Sequence, residues 1–152
     1  MQTLLTQGVA GAERSSLYET ADQVARKMGL KLAPLIPDIS GAYFRSDHFN
    51  FAKAGVPALY VDSGTDLLEG GQAAGDAAGK DYTDNRYHKP GDQYDAATWK
   101  LDGIVQDLGV VAALGDTLAN DGQWPNWYAG NPFKAARDAL RPAATPAAPA
   151  AK

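Results

Sequence analysis

From Thr98 to about Asn120 the apolar residues Trp99, Leu101, Ile104, Val105, Leu108, Val111, Ala112 and Leu118 recur at helical spacing, and no other periodic stretch of the chain is as long. A helix of that length needs a flat apolar partner. Two short runs can supply it: "TLLTQGVA" at 3–10, which ends at Gly8 and Gly11 and reads as a strand and turn, and "VPALYVD" at 56–62, which reads as a buried strand. Between them, "SSLYETADQVARKMG" predicts a second helix. Ser16 and Glu19 have the spacing of a capping box, Leu17, Ala21, Val24, Ala25 and Met28 share one face, and Gly29 stands where the helix stops. Strand and helix alternate without hairpin signals, so the pattern predicts an α/β layer fold with a mostly parallel sheet.

The remaining segments add little to that sheet. "LKLAPLIPD" alternates apolar residues, but Pro34 removes a ladder donor, which leaves an edge strand or an extended connection. A short helix is expected over 47–54, capped by Ser46 or Asp47 and ended by Gly55. Residues 63–82, rich in Gly, Ala and Asp and without periodicity, read as a long loop. A turn-rich aromatic strip follows at 121–133, then a short helix at 134–141 and a Pro/Ala tail at 142–152 expected to be disordered. Three strand candidates are few, and a sheet of three leaves both edges open.

Composition narrows the chemistry. The 152 residues suit one domain, and 45% hydrophobic with 21% charged residues suits a folded one. With a net charge of -4 and scattered Lys and Arg, nucleic acid is not an expected partner. No run approaches the roughly 18–20 apolar residues of a membrane span, and the first residues lack the pattern of a secretory signal. Cysteine is absent, so any metal must be held by His, Asp or Glu.

The chain has two histidines, His48 in "RSDHF" and His88 in "RYHKP". Each sits beside carboxylates and aromatics, in a loop or cap rather than on an apolar periodic face. Those are the places where a parallel sheet sets its sites.

These residues carry a resemblance. "FRSDHFNFAKAGVPALYVDSG", then "YTDNRYHKPGDQYD" and the long helix, resemble the C-terminal half of the co-catalytic zinc aminopeptidases, family twenty-eight of the metallopeptidases. The first motif fits at Ser46, Asp47, His48, Phe51, Gly55, Val56 and Pro57, the second at Tyr87, His88 and Asp92. The resemblance implies a three-layer α/β/α fold whose N-terminal strands are missing here. Residues 1–120 would then be the C-terminal part of the catalytic domain, and 121–141 an aromatic extension packed on it. It implies a zinc exopeptidase that hydrolyses N-terminal peptide bonds with two zinc ions and a glutamate base. His88 takes the position of the last metal ligand, and Tyr87 that of a phenol donating to the oxyanion. Asp47 and Asp92 would orient imidazoles and His48 would be structural support, while Arg45 is a possible substrate contact.

The other expected ligands are not in this chain. It contains no Glu-Glu pair, no His before His48 and no acidic residue before Glu13. One imidazole cannot make a zinc site. The expectation is therefore a C-terminal fragment, inactive alone, whose partners are a peptide and the N-terminal half of the catalytic domain. Two other readings stand beside it: a non-catalytic interaction module using Trp124, Trp127, Tyr128 and Phe133, and a metal site built between subunits. Localisation follows only from the resemblance, which favours a periplasmic or secreted parent.

Overall fold

The computed structural model describes residues 6–10, 14–34 and 41–141. The expectations for 3–5, for the end of the 30–38 segment and for the tail at 142–152 lie outside the described residues. Three strands, β1 (Thr6–Ala10), β2 (Lys31–Leu32) and β3 (Tyr60–Ser63), form one sheet in the order β2-β1-β3. Its longest pairing is antiparallel, Gln7 opposite Ser63 through Ala10 opposite Tyr60, whereas β1 meets β2 in parallel over two residues. The described sheet is thus mixed rather than mostly parallel. Pro34 lies just past β2, whose ladder ends at Leu32.

The described residues form six helices: α1 (Leu17–Lys27), α2 (Ala42–Arg45), α3 (His48–Lys53), α4 (Gly71–Asn85), α5 (Asp102–Asn120) and α6 (Lys134–Leu140). Helix α1 buries Leu17, Ala21, Val24 and Ala25, close to the face its spacing predicts. The capping box does not form. Ser16 makes no side-chain cap bond; its hydroxyl accepts the Asn126 N–H at 3.0 Å, and Glu19 accepts the Tyr128 hydroxyl at 2.7 Å. Tertiary partners have taken both halves of the local motif. Helix α5 starts at Asp102 rather than Thr98 because Asp95 holds a turn there, accepting from Ala97 N–H and the Thr98 hydroxyl at 2.9 Å each.

One element was hidden in the sequence. Much of the expected loop at 63–82 is helix α4, and the reason is its alanines: Ala73, Ala74, Ala77 and Ala78 favour helix without any apolar periodicity. Such a helix has one large apolar side chain, Tyr82, and no apolar stripe to bury. It sits on the domain through Gly75, where an added Cβ would lie 2.7 Å from the Thr65 carbonyl carbon.

Two apolar clusters organise the packing. Val24, Ala25, Leu30, Val110 and Leu114 join α1 to α5, with Leu32 and Val61 of the sheet against them. Tyr43, Ala52 and Trp127 form the second, flanked by Phe49 and Phe133. Trp127 is 2% exposed and its indole N–H donates to the Gly55 carbonyl at 2.9 Å, so the aromatic strip is internal packing at this point.

The candidate site at the end of helix α4

The C-terminus of α4 turns twice before the chain reaches α5. In its last turn the Tyr82 carbonyl accepts both Arg86 N–H and Tyr87 N–H, each at 2.9 Å. Lys89 N–H then bonds the Arg86 carbonyl and Asp92 N–H bonds the Lys89 carbonyl, each at 2.9 Å. The second turn follows from its sequence, since Pro90 and Gly91 fill its two central positions. The first puts His88 where a turn often demands positive φ.

His88 has φ 58°, the one described non-glycine residue in the left-handed region. Histidine tolerates it better than bulkier residues do, yet the conformation costs about 1–2 kcal/mol. It brings the imidazole onto the Tyr87 ring, stacked with centroids 3.8 Å apart and 21° between planes. Both side chains are exposed, Tyr87 at 48%. Tyr87 and His88 are therefore offered to solvent as one stacked pair.

Asp92 is beside this pair but bonded elsewhere. Its Oδ2 accepts the Tyr82 hydroxyl at 2.9 Å. That bond, first among the causes, raises the Tyr82 phenol above its ordinary pKa. The expectation that Asp92 orients an imidazole is not what the described contacts show. Tyr82 went unnoticed in the sequence, although it is the one large apolar side chain within α4.

Arg45, Asp47 and His48 form a second group. With Ser46, Leu59 and Tyr60 they line a cavity of about 420 Å³. Arg45 ends α2 and is exposed, and Asp47 precedes α3 with its carbonyl accepting Asn50 N–H at 3.1 Å. His48 is half-buried against Tyr43, ring centroids 4.5 Å apart, with Tyr60 at 6.4 Å, and its Nε2 is buried without a hydrogen-bond partner. Its environment is an aromatic one.

Among the described residues no group of three or more His, Asp or Glu side chains converges to hold a metal ion. A zinc site takes at least three protein ligands. His88 and its neighbours alone do not fit one, although an exposed imidazole on a fixed turn is suited to be a single ligand among several. Among the described residues no helix is long and apolar enough to cross a membrane.

The family model described as "Peptidase family M28" matches residues 2–113. No curated protein and no solved structure matches the chain.

Proposed function

Because the chain belongs to peptidase family M28, we propose that it is the C-terminal part of a zinc-dependent exopeptidase of the aminopeptidase type, in which His88 serves as one metal ligand and Tyr87 as hydrogen-bond donor to the reacting carbonyl oxygen. The observation that carries the reading is the stacked, outward-facing Tyr87 and His88 pair on a doubly closed turn. The other ligands and the general base belong, in this reading, to an N-terminal half of the catalytic domain. The zinc-peptidase layers that the resemblance implies, and export of the parent chain, are part of the same proposal.

The surface supports such a partner. Helix α5 buries Val110 and Leu114, yet Leu101, just before it, and Ile104, Val105 and Leu108 within it are 43–65% exposed on its other side. Leu108 and Val110 point about 200° apart around the axis. A helix apolar on both sides is normally covered on both. Beside it, β3 has no neighbour on its second edge among the described residues, and a largely apolar groove of about 580 Å³ runs along Val56, Leu59, Val61, Leu114 and Leu118. An added strand and its helix would fill both. The aromatic strip offers less support to an interaction module, since Trp127 is buried in the chain's own second cluster.

The test is complementation. The chain alone should bind zinc weakly in calorimetry and cleave nothing; mixed with the N-terminal half of a family catalytic domain, it should release N-terminal residues from peptides when zinc is supplied. His88→Ala should abolish this activity, and Tyr87→Phe should lower kcat by about 10²–10³-fold. Tight one-to-one zinc binding by the isolated chain would refute the reading.

A further inference from the structure

We propose that Tyr82 is the positioning residue of the candidate site: by donating its phenol to Asp92 it clasps the two turns between them and so holds His88 in its left-handed conformation against the Tyr87 ring. The clasp stands on these contacts alone; only the purpose it serves rests on the peptidase reading above.

A non-glycine residue stays at positive φ only where its surroundings fix it there. The two turns at 86–89 and 89–92 are each closed by one backbone bond, which leaves them free to open in sequence. Most nearby side-chain ties are exposed: Arg86 to Asp81 at 3.3 Å, and the Lys89 ammonium to the Asp84 carbonyl. Exposed ties of this kind hold little. The bond from Tyr82 to Asp92 differs in two ways. It is part-buried, and it spans ten residues, so it closes both turns at once.

Tyr82 also reaches the front of the turn. Its carbonyl accepts the Arg86 and Tyr87 N–H groups, its ring centroid lies 5.8 Å from that of Tyr87, and the Arg86 guanidinium sits 5.5 Å from its centre. One residue thus grips the segment at its start, through its backbone, and at its end, through its hydroxyl. His88 lies between the two grips. Tyr87 and His88 are presented as a fixed pair rather than as two independent rotors.

The experiment is proton NMR of the His88 ring in the full chain, without metal. Stacking on Tyr87 shifts the imidazole carbon-bound protons upfield. Tyr82→Phe keeps the ring and removes the hydroxyl, and Asp92→Ala removes the acceptor. Both should lose that shift and speed amide exchange at Lys89 and Gly91, while α5 and core amides stay as they are. Asp92→Asn can still accept from the phenol and should retain the stacked signature, a rescue that loss of bulk packing would not show. Stacked His88 signals that persist in Tyr82→Phe and Asp92→Ala would overturn the proposal; if Tyr82→Phe does not fold, Asp92→Ala decides alone. Because no metal enters the measurement, a failed complementation assay beside an intact clasp would sink the peptidase reading and leave this one standing.

Discussion

At the scale of single residues, the chain is most sensitive where an aromatic group meets a backbone atom. Trp127 is buried and donates to Gly55, so Trp127→Phe leaves that carbonyl without its partner and should cost about 1–3 kcal/mol, and Trp127→Ala about 3–5, both read by urea unfolding. Tyr128 offers a pH test. Partial desolvation of a residue still 39% exposed, then its bond to Glu19, push its phenol from 10.0 up to about 12. The native state therefore keeps a proton that the unfolded chain releases sooner, so the stabilisation is complete below pH 10.0 and is lost as pH rises toward about 12. Thermal unfolding followed across that window should show the fall, and Tyr128→Phe should flatten it. Of the site residues, His88 stood out in the sequence as one of only two histidines, and Tyr87 through the Tyr-His motif that carries the family resemblance. Tyr82 did not, because its importance comes from a bond ten residues away.

Among the elements, α1 and α5 were legible because each puts apolar side chains at a regular interval, whereas the buried strand expected over 56–62 is β3 at Tyr60–Ser63, where only Val61 is half-buried. Helix α4 was illegible for the opposite reason: it meets Thr65 through Gly75, and a glycine contact leaves no periodic trace. Two substitutions one turn apart test this. Gly79 has open space around its Cα, so Gly79→Ala should stabilise the helix by about 0.5–1 kcal/mol. Gly75→Ala, against the Thr65 backbone, should do the reverse and loosen α4 from the domain. Hydrogen exchange along 71–85 reads both, and equal effects at the two positions would contradict the packing described. The direction of the sheet is not legible in the sequence, because parallel and antiparallel neighbours leave the same apolar pattern.

For the whole molecule, the exposed side of α5 separates stability from assembly. Leu108→Lys removes apolar surface that water already reaches, so the melting temperature of the isolated chain should stay unchanged, whereas recovery of activity with the complementary half should fall steeply. A large drop in melting temperature would mean that this face is already covered. The other end of the chain is committed in a different manner. Gly55, at φ 86°, accepts the indole of Trp127, and a Cβ on it would meet the Arg137 nitrogen at 2.6 Å; Arg137 in turn donates to the Pro125 carbonyl at 2.8 Å and lies 3.7 Å from the Trp124 ring. The family match ends at residue 113, yet the corner leading into β3 is shaped to receive what comes after it. In related sequences, that glycine, the tryptophan and the arginine should be inherited or lost together, and a gene shortened to the match boundary should yield inclusion bodies.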